Sequence, residues 1–273
     1  FKEYLNKFIQ INHLKKDKWN YNFYESPFDS YDIVRKTNCK SVTDSTGKII
    51  SGTVLEIGSG EGYGIMELAS KADHYIAVDK YNTSISDELK ADNNITFIKT
   101  HVPPLKGIEN NSIDFVVTFQ VIEHIKDDEK FLREIYRVLK PGGKVLLTTP
   151  NILMSLSRNP WHFREYTTEQ MAEILKSSFD KYELKGVFGN KKVMEYYNKN
   201  KDSVDKIMRF DILNMQYWLP RWMLQIPYDI LNRFNRQNLQ DNNKDIVNNI
   251  LHTDYTISAS NNECFDHFCI ATK

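Results

Sequence analysis

The chain has 273 residues, 41% hydrophobic and 26% charged, which is the balance of an ordinary folded domain carrying an elaboration. Lys+Arg and Asp+Glu both number 36, so no global field draws it to nucleic acid or an anionic surface. Cys39, Cys264 and Cys269 are odd in number and lack metal-type spacing, which fits a reducing, cytoplasmic compartment rather than a disulfide framework.

The opening FKEYLNKFIQINHLKK has no signal-peptide core and begins with Phe, as if an upstream piece had been removed. Residues 1–50 read as an N-terminal helical or cap segment, with apolar spacing at Phe1, Leu5, Phe8 and Ile9. From residue 53 short apolar strands alternate with helices. Strands are expected at 53–57, 74–78, 95–99, 112–119, 144–149, 182–187 and, near the end, 267–271. Helices are expected around 64–71, over 127–139 with Phe131, Leu132, Ile135, Val138 and Leu139 on one face, and over 168–176. Pro141-Gly142-Gly143 is expected to stop the second helix, and Thr167 or Thr168 to cap the third. This alternation means an α/β fold with a mostly parallel sheet covered on both faces.

Residues 190–261 interrupt that order and read as a helical insertion. Val204, Ile207, Met208, Ile212, Met215 and Leu219 form a helical stripe, and Pro220 and Pro227 are expected to break the segment into pieces. Trp218, Trp222, Met223, Ile226 and Tyr228 are candidates for the apolar lining of an acceptor cap. A variant of that expectation has Trp218, Arg221 and Trp222 touching a membrane surface peripherally. No apolar run is long enough to span a bilayer.

The most informative stretch is VLEIGSGEGYG, residues 54–64. A buried strand runs into Gly58, Gly60 and Gly62, and a helix follows, so backbone N–H groups and a positive helix end converge on one place. Asp79 closes the next strand about 20 residues after the first Gly, where a carboxylate accepts hydrogen bonds from ribose hydroxyls. The pair points to an adenosine-containing ligand. A dinucleotide needs a third Gly at the sixth position, which is Tyr63 or Ile65 here, and Glu61 would repel its pyrophosphate. A cationic sulfonium meets no such conflict, and Glu56 suits the cationic end of a methionine moiety.

Five motifs in order, VLEIGSGEGYG, YIAVDK, SIDFVVTFQVIEHI, FLREIYRVLKPGGKVLLTTPN and NPWHFREYT, resemble class I methyltransferases over about residues 51–189. Within that class they are similar to ubiquinone-biosynthesis-like O-methyltransferases. The resemblance implies a Rossmann-like seven-stranded sheet with an antiparallel last strand, and S-adenosyl-L-methionine as cofactor. It implies methionine contacts from Gly58, Ser59, Gly60, Gly62 and Tyr63, ribose contacts from Asp79, and Lys80 and Tyr81 flanking the adenosine. His101, beside Val102, stands where the family often has an acidic adenine contact. Phe119 and Gln120 are expected to face the methyl donor.

His124, following Glu123, and His162, inside NPWHFREY, lie in loops at the carboxyl ends of strands, where ligands bind in open α/β sheets. One of them, His162 by preference, is the expected base toward an acceptor hydroxyl, with Glu123 orienting His124. Arg164 and Glu165 are expected to pair with each other. Metal-dependent small-RNA 2′-O-methyltransferases carry Glu-x-x-Glu-His plus a distant His. Here Gln120 replaces the first Glu, which weakens a hard-cation site, so no metal is assigned. The expected function is methyl transfer to a hydroxyl of a small or lipid-like acceptor. The alternatives are an RNA 2′-O-methyltransferase, disfavoured by the neutral charge, and a catalytically idle cofactor-binding protein.

Overall fold

The computed structural model describes residues 52–60, 62–81, 94–211, 213–242 and 249–273. The N-terminal segment 1–50, Cys39 included, lies outside the described residues, as do Glu61 and Ile212. In chain order the elements are β1 (Thr53–Ile57), α1 (Tyr63–Leu68), β2 (His74–Asp79), β3 (Ile95–Lys99), β4 (Ile113–Phe119), α2 (Asp128–Val138), β5 (Leu139–Pro150), α3 (Thr168–Ser178), β6 (Lys181–Gly189), α4 (Lys191–Met208), α5 (Met215–Trp218), α6 (Arg221–Asn242), β7 (Tyr255–Ala259) and β8 (Asp266–Thr272).

The strands form one sheet in the order β3-β2-β1-β4-β5-β8-β6-β7. Strands β1 to β5 pair in parallel, and β8 runs antiparallel to both β5 and β6. The order reverses between β1 and β4, so their carboxyl ends open a crevice at the switch point of the sheet. The sheet has eight strands, not the expected seven. The extra edge strand, β7, pairs antiparallel with β6 and comes from inside the segment expected to be helical throughout. Its five residues, YTISA, place only Tyr255 in the interior, too short an alternation to stand out beside an Asn-rich stretch.

Alternation along the strands divides the core in two. Leu55, Ile57, Val116, Val145 and Leu147 face α2 and α3, whose Phe131, Leu132, Ile135, Met171 and Leu175 are buried against them. Val54, Ala77, Val117, Leu146 and Phe268 face the other way, onto Ile65 and Leu68 of α1 and Val193, Tyr196 and Tyr197 of α4. Helix α2 is held at its start by Asp127, whose carboxylate accepts from Lys130 N at 3.0 Å, and α3 by a capping box of Thr167 and Gln170. Helix α2 ends at Val138, because Leu139 already pairs with Ile113. Pro141-Gly142-Gly143 therefore falls inside β5, where the register shifts, and does not end the helix.

Segment 190–261 is thus partly core, since α4 covers the sheet and β7 extends it. The expected stripe is not one face. Helix α4 stops at Met208, Met215 opens α5, and the buried side of α4 is Val193, Tyr196, Tyr197 and Asn200. Pro220 stands immediately before α6, but Pro227 lies inside it rather than breaking it. Pro227 is on the solvent side, where water can satisfy the carbonyl it leaves without an N–H partner. Among the described residues no helix is long and apolar enough to cross a membrane.

Candidate active site

The turn after β1 is built on left-handed backbone: Gly58 has φ 83°, Gly60 φ 48° and Gly62 φ 84°. A Cβ on Gly58 would collide with Val121, whereas one on Gly60 would meet nothing within 4 Å, so Gly60 borders open space. Gly60 N donates to Asp79 Oδ2 at 3.0 Å, and Tyr81 N donates to Asp79 Oδ1 at 2.8 Å. The turn and the carboxylate expected to hold ribose are therefore in direct contact at the ends of β1 and β2. The end of β3 joins them, since Thr100 N donates to the Asp79 carbonyl at 2.9 Å. His101 and Val102 follow there, with His101 exposed. Lys80 lies over the exposed Tyr81 ring, 4.9 Å from its centroid. Tyr63 opens α1; its side chain lies outside the described set.

Glu56, expected to meet a ligand cation, stands at the end of β1 among side chains of the protein. Its carboxylate is buried, takes the Tyr75 hydroxyl at 2.9 Å, and lies so close to α1 that a Cβ on Gly64 would collide with it. Glu56 therefore braces the strand-to-helix corner from within.

Two polar side chains at the turn and the end of β4 are buried without a hydrogen-bond partner among the described residues. They are Ser59, through Oγ, and Gln120, through both atoms of its amide. Gln120 also has φ 55°, a backbone region a non-glycine residue adopts only when its surroundings hold it there. Phe119 is buried beside it. Orphaned polar groups of this kind call for an explanation, and a polar ligand lying along the turn supplies one. With the open space at Gly60 and the carboxylate of Asp79, the residues present fit a nucleoside attached to an amino-acid tail.

The second half of the site comes from the loops after β4 and β5. Glu123 is fully buried and accepts from Thr149 Oγ1 at 2.9 Å, and its carbonyl accepts from Phe163 N at 2.6 Å, tying the two loops together. His124 and His162 stand edge to face with ring centroids 4.9 Å apart. His124 Nδ1 lies 3.1 Å from the carbonyl of Trp161, so that nitrogen carries the proton. His162 is buried. Its Nδ1 lies 2.5 Å from Glu165 Oε1, and its Nε2 lies 2.9 Å from Asn159 Nδ2. Ser155 Oγ donates to the other oxygen of Glu165. One ligand atom from each of Glu123, His124 and His162 lies within 4.8 Å of the others.

The expected Arg164–Glu165 pair does not form. Arg164 reaches Asp128 at 3.1 Å instead, and Glu165 serves His162. Asp128 also takes the hydroxyl of buried Tyr166 at 2.7 Å; burial and that carboxylate push the phenol well above its ordinary range. Sequence reasoning missed Asn159, Ser155 and Thr149. Only Asn159 carried a signal. An Asn before Pro favours an Asx turn, and its Oδ1 does accept from Trp161 N at 3.0 Å.

Helices α5 and α6 are clamped onto the loop that carries His162. Arg221 donates to the carbonyls of Pro160 and Trp161 at 2.8 and 3.0 Å, and its guanidinium lies 3.7 Å from the Phe163 centroid. Trp161 Nε1 donates to Asp229 at 2.9 Å, and Arg158 donates to the Gln216 carbonyl at 2.6 Å. The side chains expected to line an apolar cavity do not do so. Trp218, Trp222, Met223 and Ile226 are exposed, and only Tyr228 is half-buried. A helix clamped on one side by polar contacts has its opposite side left to solvent.

Residues 55–147 match the family described as a methyltransferase domain. Over 141 residues the chain is 36% identical to a Mycolicibacterium smegmatis protein named "probable S-adenosylmethionine-dependent methyltransferase", covering 50% of this chain and 54% of that one. It is 24% identical over 173 residues to the ubiquinone biosynthesis O-methyltransferase of Hahella chejuensis, covering 56% and 72%. Haemonchus contortus phosphoethanolamine N-methyltransferase 2, solved with phosphomonomethylethanolamine and S-adenosylhomocysteine, superposes with a TM-score of 0.50 at 21% identity, covering 96% and 60%. That likeness is one of fold. The chain spans about half the length of the first curated relatives it matches.

Proposed function

We propose that this chain, whose core belongs to the class I S-adenosylmethionine-dependent methyltransferases, moves a methyl group onto a hydroxyl of a small or lipid-like acceptor. The observations that support this reading are the contact of the Gly58–Gly62 turn with Asp79 and the pairing of His124 with His162, both in segments that follow parallel strands of one sheet. The cofactor supplies an electrophilic sulfonium methyl. The protein's part is to align and to exclude water, and alignment alone can contribute about 7–11 kcal/mol. Asp79 would hold the ribose, Ser59 and the turn the methionine end, and Gln120 a polar group of cofactor or acceptor.

His162 is the residue we assign to take the acceptor proton. Glu165 holds Nδ1, which leaves Nε2, now 2.9 Å from Asn159, as the basic nitrogen. His124 presents its own Nε2 beside it. Amide and loop contacts from α5 and α6 support a role for that segment in admitting the acceptor. A second reading has one specific observation behind it, the convergence of Glu123, His124 and His162 ligand atoms within 4.8 Å, which suits a divalent cation.

The test is turnover of the full chain with labelled S-adenosylmethionine on a panel of hydroxyl, amine and RNA acceptors, with and without a chelator. The proposal expects label on a hydroxyl compound and no chelator effect. Label on amines or RNA alone would overturn the acceptor class. Loss of activity on chelation, restored by a divalent ion, would move the three residues to the metal reading. Cofactor binding with no turnover on any acceptor would favour an idle binding protein.

A further inference from the structure

The loop 158–163 carries a hydrogen-bond pattern that fixes which nitrogen of His162 bears the proton. Trp161 N donates to Asn159 Oδ1 at 3.0 Å. A backbone N–H can only donate, so the oxygen of the Asn159 amide faces Trp161 and its NH2 group faces His162. That NH2 lies 2.9 Å from His162 Nε2. An amide NH2 also only donates, so Nε2 is the acceptor and the imidazole proton sits on Nδ1. The other side of the ring agrees, because Nδ1 lies 2.5 Å from a carboxylate oxygen of Glu165. Two independent partners assign the same tautomer.

The same contact stands in the way of proton transfer. A neutral imidazole offers a single in-plane lone pair at Nε2, and the Asn159 amide occupies it. Asn159 is 8% exposed and His162 7%, so bulk water does not compete for that nitrogen. If Nε2 gained a proton while the amide stayed, two N–H groups would face each other. The amide cannot simply turn over, because its NH2 would then meet the Trp161 N–H. The turn around it is also held. His162 N donates to the Asn159 carbonyl at 3.2 Å, and the Trp161 carbonyl takes His124 Nδ1 and the Arg221 guanidinium at 3.1 and 3.0 Å. Asn159 therefore yields Nε2 only to a group that brings its own donor there, and a hydroxyl is such a group.

We propose that Asn159 is a positioning residue for His162, whose amide keeps the imidazole proton on Nδ1 and caps the Nε2 lone pair until an acceptor hydroxyl takes the amide's place. The hydroxyl then donates to Nε2. Its proton passes to that nitrogen as its oxygen takes the methyl group, the sulfur keeps the electron pair of the broken bond, and the Glu165 carboxylate holds the imidazolium. This role rests on the reading of His162 as the base, but the contact itself can be tested without cofactor or acceptor.

The experiment is nitrogen NMR of the full chain labelled at histidine, at neutral pH, with the His162 signals identified by their loss in His162→Ala. The parent should show a protonated Nδ1 and an unprotonated, hydrogen-bonded Nε2. Asn159→Asp is nearly isosteric and keeps an oxygen for Trp161 N, but it turns a second carboxylate oxygen onto Nε2. Both ring nitrogens should then be protonated, with His162 a cation between two carboxylates. In Asn159→Ala the Nε2 signal should move to that of an uncapped nitrogen while Nδ1 keeps its proton. Thermal midpoints of the variants control for folding. On the hydroxyl compound that the parent methylates, Asn159→Asp should turn over at least about a hundredfold more slowly, with S-adenosylhomocysteine affinity near the parent's. The proposal is overturned if the parent carries the His162 proton on Nε2, if Nε2 stays unprotonated in Asn159→Asp, or if the Nε2 signal does not move in Asn159→Ala. A cationic His162 in Asn159→Asp with the parent's turnover would instead remove His162 as the base, and the role of Asn159 with it, while the contact stands.

Discussion

At the scale of single residues, the contact that separates a catalytic from a packing role for His162 is the one with Glu165. Carboxylate and imidazole are both buried, 2.5 Å apart, and Ser155 holds the far oxygen. If His162 takes the acceptor proton, His162→Ala should lower the rate roughly 10²–10⁴-fold with cofactor affinity nearly unchanged. The parent rate should rise with pH as the base loses its proton, and that limb should vanish in the variant. A neighbouring carboxylate favours the charged imidazole, so Glu165→Gln should keep the limb but move it to lower pH. A pH–rate series on the three proteins checks this. A His162→Ala variant with the parent's rate on the true acceptor would remove the base assignment. His162 and its partner histidine were legible in the sequence because they stand in loops after strands. Glu165 was misread because a neighbouring Arg offered the simpler pairing, and only the fold reveals that Arg164 is turned toward Asp128.

At the scale of elements, β8 carries a second buried histidine with a different consequence. His267 is fully buried and its Nε2 lies 2.9 Å from the Tyr166 carbonyl, yet burial holds its pKa below the ordinary value. The folded state therefore binds a proton less readily than the unfolded chain. Below about pH 6.5 the unfolded state gains protons first, so stability falls as pH drops, until the folded-state pKa is also passed. Denaturant midpoints measured from pH 7.5 down to pH 5 should fall, and His267→Gln should flatten the slope in that window. An unchanged slope would exclude the residue as the source.

The clamp on α6 is the other prediction at this scale. Arg221→Ala removes two hydrogen bonds to the loop 158–163. A hydrogen bond from a charged group contributes about 1.5–3 kcal/mol. Acceptor KM should rise while cofactor affinity holds; equal kinetics would detach this helix from acceptor handling. Strands β1 to β4 were legible because each is a short apolar run bounded by turn residues. The edge strand β7 and the continuity of α6 through Pro227 were not. A five-residue strand pairs by finding β6 far away in sequence, and a solvent-facing proline tolerates a helix that its position alone forbids.

At the scale of the whole molecule, the carboxyl ends of the strands carry residues from four separate stretches of chain, and this is what the sequence motifs encode together. Gly58 follows β1, Asp79 ends β2, Gln120 and Glu123 follow β4, and His162 lies in the loop after β5. The parts beyond the motifs had no such encoding. That α4 belongs to the core while α5 and α6 lie over the His162 loop follows from tertiary packing of Tyr196 and Tyr197, not from periodicity.

The central claim is that the crevice at the switch point of the sheet holds the nucleoside and amino-acid ends of one cofactor. Its most direct test is titration calorimetry of the full chain with S-adenosylhomocysteine, with NAD as the comparison and Asp79→Ala as the variant. The account predicts binding of S-adenosylhomocysteine, no comparable heat with NAD, and a loss of about 1–3 kcal/mol in Asp79→Ala, the cost of leaving buried partners unpaired. Equal affinity for NAD, or an Asp79→Ala variant that binds S-adenosylhomocysteine as the parent does, would contradict it.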